Sequence, residues 1–207
     1  MSVLLETLSD QGLAIDPEEA YEQFLGRSLT TIAEILRHTY GLALSHAALD
    51  QMRLNLYDRF RKELKAVPRV EATLAAIPIT RCVASSSQPE RIRLALEVAE
   101  LRGLFEPNIF SASMVTRGKP APDLFLHAAN AMSVAPERCL VIEDSPAGIA
   151  AARNAGMRAF GFVGGSHAGP AGLSRALERM GASVVFHDMQ QLPHLLKGQF
   201  ANLGLAQ

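Results

Sequence analysis

Apolar residues in the first third of the chain recur at helical spacing. In SLTTIAEILRHTYG, Leu29, Ile32, Ile35 and Leu36 share one face, and Gly41 follows as a stop. SHAALDQMRLNLYDRFRKELK repeats the pattern at Leu49, Met52, Leu56 and Phe60. DPEEAYEQFLG opens on a capping residue, Asp16, with Pro17 and acids in the first turn. The pattern predicts a small all-helical unit over residues 1–66, ending near Lys65-Ala66-Val67-Pro68.

From there the period changes. Short apolar runs in TRCVAS, NIFSA, CLVIE, RAFGFV and SVVF alternate with helical patterns, among them Val70–Ala76, PERIRLALEVAE, PDLFLHAANAM and PAGIAAARNAG. Strands alternating with helices predict a doubly wound α/β core with a parallel sheet over residues 67–207. The glycine cluster VGGSHAGPAG reads as a loop, and a helix is expected near Ala171–Met180.

Charge narrows the partners. Twenty basic and 21 acidic side chains leave a net charge of −1, which gives no electrostatic case for nucleic acid or an anionic membrane. No apolar run approaches the ~20 residues of a membrane span. Met1-Ser2-Val3-Leu4-Leu5-Glu6 lacks a basic region, so no signal peptide is visible. Cys82 and Cys139 each sit beside an apolar strand pattern and are expected as buried reduced thiols. A cytoplasmic protein is the expectation.

Three strand ends carry polar residues. Ser85-Ser86-Ser87 ends TRCVAS at a strand-to-helix turn, where a hydroxyl and backbone N–H groups hold a phosphate oxygen or simply cap the helix. Lys119, in RGKPAPD, is a point charge on a proline-stiffened turn: an oxyanion-neutralising group, or a solvated surface lysine. The segment is no Walker loop, because Pro120 follows the lysine. Glu143-Asp144 ends the apolar run CLVIE just before Ser145-Pro146, which reads as N-cap and first helical residue, with Gly156 as the helix stop. Ligands bind at that edge of an open α/β sheet. Two carboxylates there suit Mg²⁺, or they favour the helix dipole.

In that order, VASSS, GKPAPD and VIEDSPAGIAAARNAGM resemble the haloacid dehalogenase-like hydrolase superfamily. The resemblance spans the chain, and the helical first third resembles the cap of the phosphatase and β-phosphoglucomutase-like branch. GRSLTTIAEIL, KPAPDLFLHAANAM and MQQLPHLLK are most similar to 6-phosphogluconate phosphatases within it. The resemblance implies that Ser85 hydrogen-bonds the transferring phosphoryl group, with Ser86 beside it. It implies that Lys119 bridges phosphoryl and nucleophile, that Asp144 ligates Mg²⁺, and that Glu143 is the neighbouring carboxylate. Gly26-Arg27 falls in the cap loop that family members point at substrate, so Arg27 binds a remote phosphate or carboxylate there, or is an exposed capping arginine. The implied activity is Mg²⁺-dependent hydrolysis of a small phosphorylated metabolite, a sugar or sugar-acid phosphate, through a phospho-aspartate by a monomer or weak dimer. A phosphomutase, and a non-catalytic module binding metal or a partner, are the alternatives.

The family's nucleophile lies in a D-x-D-G-[TV] run on a first strand, and no D-x-D occurs here. By the resemblance that strand lies mid-sheet, between the strand of Ser85 and the strand of Asp144. The expectation is therefore a truncated chain, inactive as written, with a hole at mid-sheet. Each buried backbone group left unpaired beside such a hole costs roughly 1–3 kcal/mol. Histidines do not replace the missing group: the six are scattered without metal spacing, and His127 is expected to be packed within its helix.

Overall fold

The computed structural model describes residues 1–165 and 172–201, with side chains through Lys197. Residues 166–171, which include much of the expected glycine loop, lie outside the described residues.

Four helices come first: α1 (Ser2–Asp10), α2 (Pro17–Phe24), α3 (Leu29–Tyr40) and α4 (His46–Glu63). Three of them start on side-chain caps. Asp16 accepts from the Glu18 N–H at 2.8 Å, Ser28 from the Thr31 N–H, and Ser45 from the Ala48 N–H. Gly41 takes the left-handed conformation that ends α3. The buried faces meet in one apolar cluster that includes Leu8, Phe24, Ile32, Leu36 and Met52, drawn wholly from this unit. Leu29, at the first position of α3, is exposed; the buried stripe begins one turn later, at Ile32.

Alternating elements follow: α5 (Val70–Ala75), β1 (Val83–Ser85), α6 (Pro89–Val98), β2 (Ile109–Ser111), α7 (Asp123–Ala131), β3 (Leu140–Glu143), α8 (Pro146–Asn154), β4 (Arg158–Phe162), α9 (Leu173–Met180), β5 (Val184–Phe186) and α10 (Leu192–Ala201). All strand pairings among the described residues are parallel. β4 shows why helices cover both faces. Its alternate residues serve different cores: Ala159 packs with Ile149, Ala152 and Leu177 of α8 and α9, while Phe160 and Phe162 pack with Ile77, Leu192 and Leu196. Gly161 lets α9 close on the strand, since a Cβ there would lie 2.9 Å from a methyl of Leu177.

The strands form two sheets, not one. β1 pairs with β2, and β3, β4 and β5 make a separate three-stranded sheet in that order. β1 and β3 share no ladder. Between them opens a cleft of about 770 Å³, walled by Cys82–Ala84 on one side and Leu140–Asp144 on the other, with Phe125 among its lining residues. The break falls where the resemblance put the absent strand.

The same cleft alters one expectation. Cys82 and Cys139 are free thiols but only half-buried, because both line the gap. Burial pushes both thiols up, and the neighbouring Cys139 adds to the effect on Cys82.

Candidate active site

The site lies where β1 and β3 end, and one side chain joins the two sheets there. Lys119 is 4% exposed, so the solvated-lysine alternative does not hold. Its ammonium donates to the Ala84 carbonyl of β1 at 3.1 Å and is ion-paired with the Glu143 carboxylate of β3. The Phe125 ring centroid lies 4.7 Å from the same nitrogen, a cation–π contact out of water. The turn that presents Lys119 is tied on both flanks. Arg117 holds Asp123 through two parallel hydrogen bonds, at 3.1 and 2.8 Å, and the Asn154 amide donates to the Pro120 carbonyl.

Glu143 is buried, and its second oxygen accepts from the Asp144 N–H, the Ser145 N–H and the Ser145 hydroxyl. Ser145 also accepts from the Gly148 N–H, which makes it the N-cap of α8. Gly148 is there for space: a Cβ would sit 2.0 Å from the Glu143 carboxyl carbon. Glu143 therefore orients Lys119 and the start of α8. Asp144, half-buried at the tip of β3, lines the cleft.

Ser85 and Ser86 lie at the end of β1, opposite these groups. The Ser85 hydroxyl accepts from the Ser87 N–H at 3.2 Å, a local turn that leaves its own hydrogen available to a ligand. The Ser86 hydroxyl donates to the Gly26 carbonyl at 2.7 Å, which brings the turn carrying Arg27 against the core. Arg27 is half-buried, and its guanidinium has no ion-pair partner among the described residues. Ser111, fully buried at the end of β2, was not singled out from sequence. Its hydroxyl donates to the Ser87 carbonyl at 2.7 Å and props the serine turn. The signal was a serine closing the apolar run NIFS next to the strand of Ser85. His127 packs edge-on to Phe110, away from these groups.

The chain holds seven aspartates, at positions 10, 16, 50, 58, 123, 144 and 188. Asp16 and Asp188 cap helical turns, while Asp50, Asp58 and Asp123 pair with Arg53, Lys62 and Arg117. Asp10 ends α1. Only Asp144 lies at this site.

This strand-and-helix order, with a buried lysine and an acid pair at adjoining strand ends, matches a known family. The model of the haloacid dehalogenase-like hydrolases fits residues 5–156. The chain belongs to that family. The Escherichia coli 6-phosphogluconate phosphatase is 30% identical over 189 residues, covering 91% of this chain and 82% of the relative. A haloacid dehalogenase-like protein from Agrobacterium tumefaciens superposes with a TM-score of 0.80 at 34% identity, over 96% of this chain and 90% of that one. A Deinococcus radiodurans family hydrolase, solved with bound phosphate and sodium, gives 0.65 at 31% identity, over 99% and 88%. The core is thus the α/β fold of a phosphohydrolase family.

The carboxylates here are hard oxygen donors, a kind that Mg²⁺ accepts. Among the described residues no group of three or more His, Cys, Asp or Glu side chains is placed to hold a metal. Mg²⁺ needs less, since it keeps several waters and takes one or two carboxylates plus substrate oxygens. Asp144, half-buried at the cleft, is the carboxylate that would hold it, with Glu143 beside it on Lys119 and the start of α8.

Proposed function

We propose that this chain carries the phosphoryl-binding half of a Mg²⁺-dependent phosphatase acting on a small phosphate ester, a sugar or sugar-acid phosphate, through a phospho-aspartate. The observation that carries this reading is the buried Lys119 bridging Ala84 and Glu143 across the cleft. A fixed cation costs no reorganisation when charge develops on transferring oxygens, which is the largest contribution proteins make to phosphoryl transfer. Ser85 offers a hydroxyl to the same group. Asp144 would hold the Mg²⁺, which supplies further positive charge to the phosphoryl oxygens. The helical unit of residues 1–66 acts as a cap, with Arg27 reading a second anionic group of the substrate. The similarity to a 6-phosphogluconate phosphatase supports a sugar-acid phosphate.

The accepting carboxylate is the part the site does not contain. Asp144 is committed to the cation in this reading, and the other six aspartates lie elsewhere. The cleft between β1 and β3 offers two facing strand edges, so an extended segment entering there would pair on both sides and carry a carboxylate to Lys119. Residues 1–207 alone are expected to release no phosphate. The test compares them with a form in which an apolar strand ending in Asp-x-Asp-Gly is joined ahead of Met1. Mg²⁺-dependent phosphate release from 6-phosphogluconate by the extended form alone supports the proposal. Activity in neither form favours the non-catalytic module, and equal activity in both requires a different nucleophile.

A further inference from the structure

An ammonium carries three hydrogens, and each needs a place once water is excluded. Lys119 is buried, and the Ala84 carbonyl and the Glu143 carboxylate take two of its hydrogens. The face of the Phe125 ring meets the nitrogen on a third side, with its centroid 4.7 Å away. Neither group is free to drift. The turn of Lys119 is tied by the Asn154 amide at Pro120, and the ring is buried in one cluster with Ala129, Val141 and Ile149. Among the described residues, Ala84, Phe125 and Glu143 form part of the cleft wall and Lys119 does not. A group entering the cleft therefore reaches the ammonium only past these three partners.

We propose that Phe125 is a positioning residue: its ring face holds the third hydrogen of the Lys119 ammonium while the site is empty, and gives it up to an oxyanion that enters. Of the three partners the ring is the one to yield. The carbonyl and the carboxylate hold the ammonium through directed hydrogen bonds, the second of them charge-assisted, whereas a ring face offers only its quadrupole. An incoming oxyanion displaces the ring and leaves the other two bonds standing, so the nitrogen need not move to bind it. The ring also keeps water from filling the third place, and no water has then to be stripped from the cation when the oxyanion arrives. That the oxyanion is a phosphoryl group rests on the function proposed above; the hold of the ring on the ammonium does not.

Residues 1–207 in phosphate-free buffer test the hold. Phenylalanine analogues carrying one, two or three ring fluorines at position 125 weaken the ring face and nearly keep its shape. Exchange of the Lys119 ammonium hydrogens with water, followed by nuclear magnetic resonance at constant pH, should quicken with each fluorine and reach about tenfold with three. Phe125→Tyr, which keeps the ring face, should stay near the parent rate, and Phe125→Leu should be at least as fast as the three-fluorine form. The same analogues at Phe105, another ring of the cleft wall, should change nothing. Backbone exchange in β4 should stay constant throughout, which separates a lost contact from a loosened fold. The proposal is overturned by a rate indifferent to fluorine count, by an equal rise with the Phe105 analogues, by Phe125→Tyr as fast as Phe125→Leu, or by an acceleration that β4 shares. Inorganic phosphate with Mg²⁺ then tests the yielding. The Lys119 Cε hydrogens, shifted upfield by the ring, should lose that shift as phosphate is added. A shift that stays in place overturns the yielding. Calorimetry on the same samples tells the two readings apart: phosphate bound with the shift intact sinks this proposal alone, whereas no phosphate bound sinks the phosphoryl site as well.

Discussion

Replacing Glu143 with Gln tests the bridge between the two sheets. The substitution keeps the shape and an acceptor for Ser145 but removes the charge opposite Lys119. Lys119 is 4% exposed and Glu143 9%, so water cannot take over the pairing. What remains for the ammonium is the Ala84 carbonyl and the Phe125 ring. Removing one partner of a buried pair costs about 3–5 kcal/mol, because the other charge stays buried and uncompensated. The retained carbonyl and the ring put Glu143→Gln near the lower end, about 3 kcal/mol. For a chain of this size that corresponds to a fall in Tm of about 6–12 °C. Lys119→Met should be destabilising too, since it strands the Glu143 charge beside the N–H groups of α8. The double substitution removes both charges, so it should cost less than the sum of the singles by at least about 1.5 kcal/mol. Urea unfolding followed by far-ultraviolet circular dichroism gives all four corners of the cycle. Additivity within about 0.5 kcal/mol would show that the two side chains do not act as a pair, and would remove the physical basis for a pre-positioned cation at the site.

Gly148→Ala drives a methyl into the Glu143 carboxylate, 2.0 Å from its carbon, so it should cost about 1–3 kcal/mol by overpacking in the same urea experiment. A cost below that of Gly12→Ala, where a Cβ would meet nothing within 4 Å, would show that Glu143 is free to move. Arg117 holds the Asp123 carboxyl below its usual range, so this pair stabilises the fold above the unfolded carboxyl's pKa of about 3.9 and loses that contribution as pH falls through the folded value. The Tm gap between the parent and Asp123→Asn should therefore be constant from pH 5 to 7 and close towards pH 3; a gap that widens on acidification refutes the assignment. In a form that turns over, Asp144→Asn should abolish Mg²⁺-dependent phosphate release, and wild-type rates at ordinary Mg²⁺ would refute Asp144 as the residue that holds the cation.

Periodicity and caps were legible because they are local. Asp16, Gly41 and Ser145 do in the structure what their positions in sequence say, and the alternation beyond Pro68 gave the parallel strands. The break in the sheet was not legible in any pattern of apolar residues. It came from the resemblance, since two strands that share no ladder leave no sign of it in their own periods. The half-exposure of Cys82 and Cys139 follows from the same break, and residues beside an apolar run read as buried until the gap is known.

The site shows where local reading stops. Lys119 in its turn looks the same whether it faces water or Glu143, because its partner is 24 residues away in sequence and reaches it only through the packing of α7 and α8. Glu143 and Asp144 look equivalent as adjacent acids. Burial separates them: Glu143 is buried against Lys119 and Ser145, and Asp144, one residue on, is half-buried. The spacing that would have distinguished them was present in EDSPAG, where Ser145 and Gly148 supply a hydroxyl and a vacant Cβ position for a carboxylate folded back onto the start of a helix. A glycine three residues beyond a helix N-cap weakens the helix unless something occupies its space. Here that something is Glu143, and through it the helix start, the lysine and the two sheets are held in one arrangement.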